Sequence, residues 1–199
     1  MICIPALSSA RCSLQAAALL GLAVLTFAAV PALAQRAPAA KPASAKPAAA
    51  GGQGQALLLE TAGKWQAFSS QQGRSKICYA LSKAETRIPA NLKDVEGLLF
   101  ISSRPGEGVR NEISLVMNFD LKEDVEHQAI IGSDRFALVA KGQNVWLKNP
   151  AEEGRMLDAL RKGAGLEIKG TSKRGNATSD KYSLAGISQI VKRAEDACK

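Results

Sequence analysis

Apolar and polar residues alternate most regularly over Glu112–Phe119, which places Ile113, Leu115, Met117 and Phe119 on one face. A period of two is that of a half-buried strand. Leu98–Ser103 precedes it, apolar and then polar, and ends at Arg104-Pro105-Gly106, a turn signal. The two segments read as an antiparallel pair with a Gly106–Asn111 tip projecting from the sheet. His127–Ile131, Arg135–Lys141 and Gln143–Leu147 form a third group, the last after Gly142. Lys64–Phe68 and Ile77–Leu81 are two earlier strand candidates, with the turn Gln71–Ser75 between them. Strands at this spacing, with turn residues between them, indicate an all-β sandwich or barrel.

Two helices interrupt the pattern. Pro150 suits a first helical turn, Glu152 and Glu153 favour its positive end, and Met156, Leu157 and Leu160 form an apolar stripe. Arg161 and Lys162 close the helix, with Gly163 as its cap. Leu166–Gly170 is a further alternating strand and leads into Gly170–Ser188, the stretch around which the chain is organised. This reads as a strand end, a polar turn with Gly175, Asn176 and Ser179, a second short strand, and a helix start. Tyr182 and Leu184 alternate with polar neighbours. From Leu184 the period lengthens, and Leu184, Ile187, Ile190, Val191, Ala194 and Cys198 share one helical face.

The N-terminus changes the picture of where this domain works. Arg11, an apolar run from Leu14 to Val30 and the end Pro31-Ala32-Leu33-Ala34 read as a signal peptide over residues 1–34, cleaved after Ala34. The run sits at the lower length limit for a membrane span, so no transmembrane anchor is expected after cleavage. Residues 35–56, rich in Ala, Pro, Lys and Gly, hold too little apolar surface to fold and read as a disordered linker. Residues 57–199 remain as one domain, long enough to bury a core. The leader removes only Arg11 among the charged residues, so a net charge of +8 becomes +7. It also removes Cys3 and Cys12. Cys78 and Cys198 are left in an oxidising compartment with one possible pairing and no C-x-x-C spacing, so a structural disulfide is expected. Closing a loop of about 120 residues stabilises by ~4–5 kcal/mol in the chain-entropy model.

The pattern Gly170-x-Ser172-x-Arg174-Gly175, then Asp180-x-Tyr182-Ser183-Leu184-x-Gly186, then a helix ending in Cys198, resembles the invasion-associated locus B (IalB) family of bacterial envelope proteins. Trp65 and Cys78 match the family's opening Trp and Cys strands. The resemblance covers Trp65 to Cys198 and is most specific after Met156. It implies an immunoglobulin-like β-sandwich with helical additions. It also implies an exported, non-enzymatic protein of the periplasm, the outer membrane or the exterior, in a family associated with host-cell (erythrocyte) invasion in pathogens.

Candidate chemistry is sparse. A Ser-His-Asp arrangement would have only His127 to use, and that residue reads as an exposed, incidental histidine. Four soft ligands for structural zinc are lacking, and Glu123, Asp124 and Glu126 lack the spaced loop of a calcium site, so neither metal nor cofactor is expected. Gly106–Asn111 begins like a dinucleotide fingerprint but has Asn111 in place of the third glycine. Asn176-Ala177-Thr178 fits a glycosylation acceptor, which means little behind a bacterial-type leader.

The remaining polar cluster is Ser172, Arg174 and Asp180. Arg174 either holds a carboxylate or phosphate, with Lys173 beside it, or pairs with Asp180. Alternatively, Asp180 bonds turn amides. From Arg155 onward ten Lys or Arg face five Asp or Glu, an excess of +5. Such a face suits an anionic envelope polymer, an anionic glycan or lipid headgroup. An envelope or host protein is the other partner class. Two Trp and two Tyr in the whole chain give no stacking platform, so nucleic acid is not expected.

Overall fold

Eleven antiparallel strands, hydrogen-bonded in the order β1-β2-β3-β5-β6-β9-β8-β7-β10-β11-β4, form a single sheet in the computed structural model, which describes residues 55–199. In chain order they are β1 Leu57–Ala62, β2 Trp65–Gln72, β3 Ser75–Lys83, β4 Thr86–Ile88, β5 Leu98–Arg104 and β6 Val109–Val116. β7 His127–Ile131, β8 Asp134–Lys141, β9 Asn144–Leu147, β10 Gly165–Thr171 and β11 Ala177–Ser183 complete the set. Helix α1 spans Glu153–Lys162 and α2 Ile187–Ala197. The mainly-β fold with two helices is the one the periodicity predicts. The expected leader, and the expected linker up to residue 54, lie outside the described residues.

The sheet closes on itself at β3 and β4. Ala84 N donates to Gly97 O, at the head of β5, and the next residue, Glu85, donates to Lys181 O on β11, both at 2.8 Å. Within two residues the chain therefore crosses from the third strand of the order to the last, so the strands from β3 to β4 form a ring. Strands that change neighbours at a bend make the corners of such folds. The ladders run unbroken from β1 to β4, with no division into the two sheets that the family resemblance implies. Two strands, β1 and β4, were not predicted. The first is a Leu-Leu-Leu run without alternation, and the second has three residues.

One hydrophobic cluster fills the interior. Trp65, Leu99, Ile113, Leu115, Met117, Phe136, Leu138, Leu166, Ile168 and Tyr182 are fully buried. Full burial of a large aliphatic or aromatic side chain contributes about 1.5–3 kcal/mol relative to exposure. The predicted stripe on α1 is buried against β6, and that on α2 (Ile187, Ile190, Val191 and Ala194) covers β1, β2 and β3.

Four local expectations change. Ser179 lies within β11, not in the turn, and its Oγ donates to Glu167 Oε1 at 2.7 Å across the β10–β11 ladder. The Gly106–Asn111 tip folds back, because Asn111 Nδ2 reaches Glu195 Oε1 on α2 at 2.9 Å. Gly163 has φ −78° and not the left-handed conformation of a glycine cap. A Cβ there would stand 2.6 Å from Ile131 Cγ2, so close packing selects the glycine. Met117 and Phe119 fall beyond the end of β6, at Val116, and Met117 is buried all the same.

Candidate functional site

The β10–β11 turn is where the polar motif meets the surface. Ser172 N donates to Asn176 O, Gly175 N to Ser172 O, and Asn176 N to Ser172 Oγ at 3.1 Å. Gly175 has φ +87°, a left-handed conformation that a residue without Cβ adopts at no steric cost. The turn is docked on the segment after β6. Lys173 N donates to Asp120 O at 2.8 Å, Lys122 N donates to Thr171 O at 3.0 Å, and Leu121 bridges Ser172. Backbone bonds, not flexible side chains, set Lys173 beside Asp120. Their charged ends are 3.9 Å apart.

A cleft of about 440 Å³ opens in front of this turn. One wall is Ser172–Asn176. Asn91 and Leu92 of the short 3-10 turn after β4, together with Phe119 and Gln143, complete the lining. Both residues expected to hold an anion, Lys173 and Arg174, line it. Arg174 is exposed and takes part in no ion pair among the described residues. The motif thus brings its two cations to a cleft.

Asp180 does not join them. It is 0 % exposed and accepts from Arg87 instead, with Nε and Nη2 both reaching Oδ2, at 3.0 and 2.7 Å. The same guanidinium donates through Nη1 to Val95 O at 2.6 Å and through Nη2 to Met117 O at 3.0 Å, and it lies 5.3 Å from the Phe119 ring centroid. A Cβ on Gly97 would come within 2.9 Å of Asp180 Oδ2, so the pair also requires that glycine. Burial pushes the Asp180 carboxyl above its ordinary value, and the Arg87 bonds and charge work against that rise. Both expected readings of Asp180, the Arg174 pair and the turn-amide bonds, give way to this one. Arg87 was missed because nothing local marks it. Its partner lies 93 residues away and only ring closure brings them together.

The other motif residues hold the fold. Tyr182 and Leu184 are buried, and burial raises the Tyr182 hydroxyl strongly. Ser183 O accepts from Trp65 Nε1 at 2.9 Å, and Ser183 Oγ from Ala185 N at 3.3 Å. Gly186 has φ +92°, and a Cβ there would lie 2.5 Å from Ala62 O. At Gly170 an added Cβ would meet Thr178 Oγ1 at 3.1 Å and His127 Nδ1 at 3.3 Å. The Cys78–Cys198 disulfide is formed, with Cα atoms 5.8 Å apart, and ties β3 to the end of α2.

His127 is buried at 1 % exposure, contrary to the expected surface histidine. Nδ1 accepts from Thr171 N at 3.3 Å and Nε2 donates to Lys122 O at 2.9 Å. Both ring nitrogens are engaged in holding the β10 end to the segment that precedes β7. Among the described residues no three His, Cys, Asp or Glu side chains converge as metal ligands would, and no helix is long and apolar enough to cross a membrane. The basic C-terminal part is partly neutralised in place. Arg155 pairs with Asp134 and Glu152, Arg161 with Glu195, and Lys192 and Lys199 with Asp196.

Comparison with protein-family models, curated proteins and solved structures finds no match to this chain.

Proposed function

We propose that the protein is an exported, non-enzymatic interaction protein of the cell envelope, of the IalB kind, placed in the periplasm, at the outer membrane or outside it. Its recognition site is the cleft at the β10–β11 turn, and its partner carries an anionic group, on a glycan or a lipid headgroup. One observation carries this reading. Lys173 is held at a cleft by a backbone bond, Arg174 follows it in the same turn and lines the cleft, and among the described residues Arg174 has no acidic partner. An unpaired guanidinium at a concave surface is suited to a two-pronged bond with a carboxylate or phosphate. The leader and the resemblance of residues 170–186 support the envelope location.

The test is retention of the mature chain on envelope polymers at low and high salt, beside the Lys173→Ala/Arg174→Ala double variant. Retention that falls with salt and with the double substitution is expected. Retention that survives both would point to a protein partner held by a packed apolar interface, as an adhesin or an assembly factor, and the cleft would lose its role.

A further inference from the structure

The lining of this cleft is more selective than its two cations suggest. Resting on the anion-binding reading above, we infer that the cleft takes a carboxylated sugar, a uronate-type monoanion, in preference to a phosphorylated one. The charges come first. Lys173 and Asp120 stand 3.9 Å apart on the same rim, so the cleft carries two positive charges and one negative, a net +1. The backbone bond between Lys173 N and Asp120 O fixes the main chain of Asp120 beside the turn, so its carboxylate stays within reach of this rim. A phosphate monoester brings close to two negative charges at neutral pH and would set one of them against Asp120. A single carboxylate matches Arg174, whose planar fork accommodates its two oxygens.

The uncharged lining points to a sugar as the carrier. Asn91, Gln143 and Asn176 present three amides to the cleft. Each amide both donates and accepts, as a ring of hydroxyls requires, and the Asp120 carboxylate accepts from a further hydroxyl. Leu92 and Phe119 offer apolar surface for the C–H face of a ring. A volume of about 440 Å³ lies within the range of small-ligand sites. The Phe119 ring also packs against the buried Arg87 guanidinium, 5.3 Å from its centroid.

The experiment is a nuclear magnetic resonance titration of the mature chain, residues 35–199, with three probes at low salt: the methyl glycoside of galacturonate, the neutral methyl galactoside and galactose 6-phosphate. The galacturonate is expected to shift the amides of residues 172–176 and to bind about tenfold or more tighter than the neutral galactoside, the worth of one charge-assisted bond. Arg174→Gln should remove that advantage. Asp120→Asn should raise the affinity for galactose 6-phosphate severalfold, on the order of one surface charge contact, and by more than it changes the affinity for the galacturonate, so that the preference narrows. Both substitutions are at exposed positions, so the fold is retained.

Tighter binding of galactose 6-phosphate than of the galacturonate by the unaltered chain would overturn the uronate assignment and leave the anion-binding reading intact. An Asp120→Asn variant with an unchanged preference would do the same. If no charged probe shifts residues 172–176, both readings fall together.

Discussion

Residues 170–186 hold two regions of opposite character. The outer one, Ser172–Asn176, is a turn whose backbone is pinned and whose cations face a cleft. The inner one, Asp180–Gly186, sends Asp180, Tyr182 and Leu184 into the core, and its polar groups have structural uses. Asp180 pairs with Arg87, Ser183 anchors Trp65 Nε1 through its carbonyl, and Gly186 lets the chain pass Ala62 O. The two lie within one hairpin, on the same ladder. The difference teaches that a polar motif is no single site. Position along the hairpin decides whether a charge meets solvent or a buried partner, because β4 pairs with Ser179–Lys181 and sets Arg87 opposite Asp180.

Replacement of Asp180 by Ala breaks this comparison most severely. It strands the buried Arg87 guanidinium, and a loss of about 3–5 kcal/mol is expected, read as a fall in the urea midpoint. Asp180→Asn should cost clearly less, because the amide oxygen still accepts from Arg87. The sign of the pH effect follows from the raised carboxyl. A folded value above the unfolded one gives stability that is present below the ordinary carboxylate range and lost as pH rises through the folded value. Asp180→Asn should flatten that limb, and an unchanged pH profile would show that titration of Asp180 does not produce it.

The next largest effect is at the buried disulfide that ties down the helix following the inner region. Cys78→Ala/Cys198→Ala frees the end of α2 from β3, and a loss of about 2–5 kcal/mol is expected by thermal unfolding. Arg174→Ala should do the reverse of Asp180→Ala. Stability should stay within about 0.5 kcal/mol, as for an exposed surface position, while retention on anionic polymers falls. A stability loss as large as that of Asp180→Ala would erase the distinction between the two regions.

The smallest effect lies at the C-terminus. Asp196 is held down to about 2 by its hydrogen bonds to Lys192 and Lys199. A folded value below the unfolded one gives stability that is present above the ordinary carboxylate range and lost as pH falls through about 2. Asp196→Asn should remove that shallow acid limb, measured by urea midpoints between about pH 4 and pH 2. Its direction is opposite to that of Asp180, since one carboxylate is exposed among lysines and the other is buried.

Much of the molecule was legible from local pattern. The alternation at Ile113, Leu115 and Met117 became a buried face, the longer period from Leu184 became the buried stripe of α2, and two cysteines with one pairing formed the predicted bridge. Lys173 and Arg174 were singled out as cations and do line a cleft. These features depend on the repeat of a strand or helix, on turn chemistry, or on a count, and each is written in neighbouring residues.

What tertiary structure alone decided depends on residues far apart in the chain. The burial of His127 comes from the docking of β10 on the segment before β7, and the hydrogen bonds to Lys122 O and Thr171 N have no local signature. The Arg87–Asp180 pair needs β4 to reach the far side of β11, which the two-residue crossing at Ala84-Glu85 provides. The cleft draws on that same crossing, since the turn after β4 and the β10–β11 turn both line it. Hydrophobic period reports which face of an element is buried. It carries no information on which other element covers that face, and that choice placed every partner of the candidate site.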